Sequence, residues 1–100
     1  MRQVIVRYKV KPEHVAENER LVRAVYEELS HVKPDGFRYA TYRLDDGVTF
    51  VHLAQSDHER APLPELKAFQ RFQEDILARC DEPPVVTRAE TIGSYNTGPR

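Results

Sequence analysis

Only one cysteine, Cys80, occurs in this chain of 100 residues. A lone thiol excludes an internal disulfide, and a reducing cytoplasm is the compartment it leads one to expect. Long apolar runs are missing as well, so no membrane-spanning helix is predicted. Residues Met1 to Gln3 run straight into a predicted strand rather than a signal peptide. Neither sign of charge dominates: 15 Lys and Arg face 16 Asp and Glu, for a formal net charge of −1. That balance argues against a nucleic acid or an anionic membrane held through bulk charge. The sequence has no glycine-rich phosphate loop, no Cys–His nucleophile pair and no Gly-x-Ser-x-Gly elbow. Internal repeats, linkers and low-complexity segments are also lacking, and this length suits one domain with a single modest core.

What the sequence does contain is organised around residues 36–55. Phe37, Tyr39, Thr41 and Tyr42 lie before Asp45-Asp46-Gly47, and Val48, Thr49, Phe50, Val51 and Leu53 lie after it. Aromatic and β-branched flanks around a tight turn predict a β-hairpin. A two-residue loop Asp46-Gly47 would need positive φ at both positions. A three-residue loop, with Asp45 and Asp46 helical and Gly47 left-handed, costs neither Asp anything and is the register adopted. It places Ala40, Tyr42, Leu44, Val48, Phe50, His52 and Ala54 on one face, and Phe37, Tyr39, Thr41, Arg43, Thr49, Val51 and Leu53 on the other.

Elsewhere the chain alternates strand and helix periods. Val4, Val6, Tyr8 and Val10 share one side of a strand over 3–10. Pro12 and Glu13 open a helix over 13–32 whose apolar stripe is Val15, Val22, Val25, Tyr26, Leu29 and Val32, with Asn18 falling on it. Pro64 starts a second helix over 64–79, with Leu66, Phe69, Phe72 or Gln73, Ile76 and Cys80 as its stripe. Asp81 to Pro84 breaks that helix, and a last strand is expected over 85–95. The tail, Asn96 to Arg100, has no apolar anchor and is expected to fray. The result is β-α-β-β-α-β, a ferredoxin-like α+β domain over residues 1–100 with two helices on one face of a four-stranded antiparallel sheet. Two helices cover only one face, and the second still carries large apolar groups, so a partner sheet is its simplest cover.

Element order, the hairpin from Arg38 to Val51, the aromatic second helix from Leu66 to Phe72 and the closing Ile92 to Tyr95 together resemble the dimeric α+β barrel superfamily. The similarity spans about residues 3–95 and is greatest to antibiotic biosynthesis monooxygenase-like domains. It implies a homodimer formed through the sheet faces and a small-molecule ligand between helices and sheet. Members include cofactor-free oxygenases, haem-degrading enzymes, isomerases and proteins of no assigned activity. The haem-degrading branch uses an Asn on the first strand, a Trp after the third and a His on the second helix. This chain has none of these at the matching places, so no cofactor is expected, and no metal either.

His52 is the foremost candidate for chemistry, as a base or ligand contact on the helix-facing side, with Tyr42 beside it as a second catalytic candidate. Tyr8, Asn18, Phe50 and Phe69 are the expected ligand-binding walls. The plainer reading makes His52 a hydrogen-bonded core histidine and the tyrosines core residues with hydroxyls at the rim. His52, Asp57 and His58 match no metal-ligand spacing, and His14 and His31 are expected to be solvated. Two other functions compete with an oxygenase. One is a non-catalytic ligand-binding or structural dimer. The other is an RNA-binding module of the same element order, disfavoured because the third strand lacks the required motif and the chain lacks a basic footprint.

Overall fold

Among the described residues the chain forms four strands and three helices: β1 (Arg2–Val10), α1 (Val15–Val32), β2 (Phe37–Arg43), β3 (Thr49–Ser56), α2 (Lys67–Glu74), α3 (Ile76–Arg79) and β4 (Cys80–Arg88). They are seen in a computed structural model that describes residues 2–58 and 62–95. The expected fraying of 96–100 lies outside the described residues. The sheet order is β2-β3-β1-β4 with every neighbour antiparallel, which is the ferredoxin-like arrangement the alternation predicts. No helix among the described residues is long and apolar enough to cross a membrane.

The core lies between the sheet and the helices. Tyr8, Val10 and Phe50 from the sheet meet Val22 and Val25 from α1, with Leu63, Leu66, Ala68 and Phe72 from the second helical segment. Alternation along β1 puts Tyr8 and Val10 inside, as expected. α1 ends at Lys33, whose backbone turns left-handed (φ 49°) and returns its N–H to the Leu29 carbonyl at 2.8 Å. Its observed start, Val15, follows a single 3-10 turn, Pro12–His14.

Three expectations are corrected. The first concerns β2. Thr41 pairs with His52, Tyr39 with Ala54 and Tyr42 with Val51, so Phe37, Tyr39, Thr41 and Arg43 share the helix-facing side with His52. Ala40 and Tyr42 face away. The hairpin closes with the Leu44 N–H on the Thr49 carbonyl, which leaves four residues, Asp45 to Val48, in the loop. Gly47 is left-handed as expected (φ 78°). Asp46 takes both the Val48 and Thr49 amides and the Thr49 hydroxyl, and so draws Val48 into the turn. One extra loop residue turns every β2 side chain to the other face, while His52 stays with the helices.

The second correction is the helix over 64–79, which is broken at Asp75 (φ −121°, ψ 28°) into α2 and α3. Arg79, at the end of α3, is thereby buried. The third is the last strand, which starts at Cys80 and stops at Arg88. Arg7 pairs with Val85 but Lys9 with Glu82, so Pro83 and Pro84 together oppose Tyr8 in a bulge on an edge strand. Missing N–H groups are tolerated there.

Candidate functional site

A line of polar side chains crosses the otherwise apolar layer between sheet and helices. Asn18 interrupts the α1 stripe one turn before Val22, which is why it enters the core at 0% exposure. Its Nδ2 donates to the Tyr8 hydroxyl at 2.9 Å. Its Oδ1 accepts from Arg79 Nε at 3.2 Å. Arg79, 2% exposed, also donates from Nη2 to the Phe72 carbonyl at 2.7 Å, and its guanidinium lies 5.3 Å over the Phe72 ring. The ion pairs among the described residues, His14–Glu17, Arg23–Glu19 and Arg43–Glu19, give Arg79 no carboxylate.

His52 is the middle of the line and is 4% exposed. Its Nε2 lies 2.8 Å from the Tyr8 hydroxyl and its Nδ1 lies 2.6 Å from that of Tyr39. Thr41 Oγ1 is 3.2 Å from the same Nδ1, and the Tyr26 hydroxyl is 2.7 Å from Thr41. The rings of Tyr8, Tyr39 and Phe72 stand 5.3, 5.7 and 5.6 Å from the imidazole. Burial with no carboxylate in contact lowers the His52 pKa to about 4, so the ring is neutral at physiological pH. Burial likewise pushes the Tyr8 and Tyr39 phenols well above the ordinary tyrosine value, and that of Tyr26 upward too. All of these groups are therefore neutral hydrogen-bonding partners, with one cation, Arg79, at the inner end.

Of the residues the sequence put forward, Tyr8, Asn18, Phe50 and His52 are brought together, Phe50 stacking on Tyr8 at 5.6 Å. Phe69 stands behind them, 6.0 Å from Phe72. Tyr42 is not brought in: it is 52% exposed on the opposite face, because of the longer hairpin loop. Tyr39 takes the place beside His52 that Tyr42 was expected to hold. Sequence reasoning also missed Thr41, Tyr26 and Arg79 as polar members. Arg79 had one legible signal: it falls three residues after Ile76 and seven after Phe72, on the apolar stripe of its helix. Asp57 and His58 are exposed beside Gly36, away from buried His52.

Comparisons with known proteins agree at the level of fold. A crystal structure of an antibiotic biosynthesis monooxygenase aligns with TM-score 0.75 at 22% identity, over 93% of this chain and 100% of its own. Rv0793 from Mycobacterium tuberculosis aligns with TM-score 0.75 at 17% identity, over 95% of this chain and 98% of its own. NE2512 from Nitrosomonas europaea, a protein of unknown function, aligns with TM-score 0.74 at 14% identity, over 98% of this chain and 95% of its own. No protein-family model and no curated protein matches the sequence. The fold is thus that of the antibiotic biosynthesis monooxygenase-like structures, as the sequence resemblance implied.

Proposed function

We propose that this chain is a homodimeric, cofactor-free monooxygenase acting on a small phenolic or polyketide-like molecule held between its helices and sheet. The observation that carries the reading is the buried, neutral His52 clasped between two phenols in this fold. A general base works best with a pKa near the operating pH, and His52, at about 4, is far below it. Its role is therefore to hold the Tyr39 and Thr41 hydroxyls against the substrate oxygen, where they stabilise the enolate or phenolate that forms. That stabilisation assists loss of a proton from the activated C–H to solvent. The carbanion then gives its electron pair to dioxygen, and the peroxide formed takes up a proton. Loss of water from the hydroperoxide leaves a new carbonyl, so the substrate itself is the reductant and one oxygen atom ends in water.

Dimerisation belongs to the same reading. The sheet face away from the helices presents Ile5, Tyr42, Val51, Leu53 and Val85, and a second copy would cover it.

The test is dioxygen consumption and carbonyl formation with a panel of hydroxylated anthrones. Turnover by the wild type and a loss of about 10²-fold in His52→Ala, the scale of removing one oxyanion-stabilising group, are expected. Binding without any dioxygen consumption across the panel would replace the oxygenase by the non-catalytic ligand-binding dimer.

A further inference from the structure

The line of hydrogen bonds has a direction, and Arg79 sets it. A guanidinium only donates, so the Asn18 atom facing Arg79 Nε at 3.2 Å is its carbonyl oxygen, and its NH₂ group is turned to Tyr8 at 2.9 Å. With Asn18 donating to it, the Tyr8 oxygen sends its own proton to its remaining partner, His52 Nε2, at 2.8 Å. An imidazole that accepts at Nε2 and is neutral carries its proton on Nδ1. That proton points to Tyr39 at 2.6 Å, with Thr41 at 3.2 Å. We infer that Arg79 is a positioning residue that fixes the tautomer of His52 from across the core, through Asn18 and Tyr8.

The consequence appears at the outer end. Tyr39, Thr41 and Tyr26 bring three O–H protons. The Tyr26–Thr41 contact uses one. Even with Tyr39 giving its proton to the neighbouring Thr41, at least one O–H is left over, because His52 donates into the cluster and takes nothing from it. The cluster is a net donor. It suits a ligand that presents an acceptor oxygen, such as an enolate, phenolate or ketone, and not an ammonium or another donor. This last step rests on the proposed oxygenase reading, whereas the tautomer does not and is measured without substrate.

The experiment is long-range ¹H–¹⁵N correlation NMR of the His52 ring at pH 7 in the full chain. The wild type should show the Nδ1–H form almost alone. Asn18→Asp should invert it: one carboxylate oxygen pairs with Arg79, the other accepts the Tyr8 proton, and the Tyr8 oxygen then accepts from Nε2–H. Arg79→Met frees the Asn18 amide to turn over, so the Nδ1–H population should fall severalfold, while Arg79→Lys should restore it. A merely structural arginine would not move a tautomer. A wild type with Nε2–H as its main form overturns the inference, as does an Asn18→Asp protein that keeps Nδ1–H. An Arg79→Met protein that keeps Nδ1–H overturns the part given to Arg79. The Asn18→Asp arm, which supplies the buried cation with a counter-ion, tests the relay through Asn18 and Tyr8 even where Arg79→Met does not fold. Failure of every substrate in the oxygen assay would leave these spectra unchanged, so the two readings fail separately.

Discussion

At the scale of single residues, the site is a set of polar groups that only a shared arrangement makes tolerable. An unpaired hydroxyl, amide or imidazole in this layer would cost a few kcal/mol, yet among the described residues no buried side-chain nitrogen or oxygen lacks a partner. His52 carries a measurable consequence. Its folded pKa, about 4, lies below the ordinary 6.5, so the unfolded chain takes up a proton first as the pH falls. The stability it contributes is fully present above pH 6.5 and is lost as the pH drops towards 4, by about 3 kcal/mol at most. Asp46, held to about 2 by the Thr49 hydroxyl and by the Val48 and Thr49 amides, acts in the same direction but in a separate window below pH 3.8. Urea unfolding of the wild type and of His52→Gln between pH 7 and 4.5 checks this. The wild type should weaken steeply and the variant should be nearly flat, and equal slopes would contradict a buried neutral His52. His52, Tyr8 and Asn18 were legible in the sequence because strand alternation and a broken helical stripe are local patterns. Arg79 was hidden because it meets Asn18 across 61 residues of sequence, and no local period encodes that meeting.

At the scale of elements, the hairpin shows where pattern reading stops. Both strands and the left-handed Gly47 followed from residue type, but the faces of β2 depended on whether the loop held three residues or four. That choice was made by the Asp46 carboxylate, whose bonds to Val48 and Thr49 stabilise the longer turn. Strand β4 failed for a related reason: Pro83 and Pro84 read as a breaker, and only the sheet order shows that they occupy an edge bulge. The two left-handed glycines of the hairpin region separate conformational cost from steric cost. A Cβ on Gly47 meets nothing within 4 Å, whereas one on Gly36 comes 3.1 Å from the Asp57 carboxylate and 3.2 Å from its Cβ. Gly47→Ala should therefore cost about 1 kcal/mol, the left-handed penalty alone, and Gly36→Ala distinctly more. Thermal unfolding of the two variants tests the difference, and a Gly47→Ala protein as stable as wild type would mean that the turn is not held with positive φ.

At the scale of the whole molecule, the two sheet faces have different fates. The helices cover one. On the other, Leu53 is 38% exposed and Tyr42 52%, with Val85 at 61% and Ile5 and Val51 between them in the paired register. Face membership changed with the β2 register: Tyr39, Thr41 and Arg43, expected on the shared surface, face the helices, and Arg43 reaches Glu19 on α1. Ala40 and Tyr42 take their places, so on the open face β2 presents one aromatic ring, Tyr42, where Phe37 and Tyr39 were expected. Val51 and Leu53 keep their predicted side because β3 did not turn over. If a second copy covers this face, Leu53 is desolvated in the dimer, and a carboxylate there would be buried without a partner at a penalty of several kcal/mol. Leu53→Glu should then elute and scatter light as a monomer, while Tyr39→Phe, altered only on the helix side, should remain dimeric. In the monomer Leu53 is already in contact with water, so Leu53→Glu should keep its far-ultraviolet circular dichroism. A Leu53→Glu protein that stays dimeric at micromolar concentration would place the interface elsewhere and leave this face open to solvent.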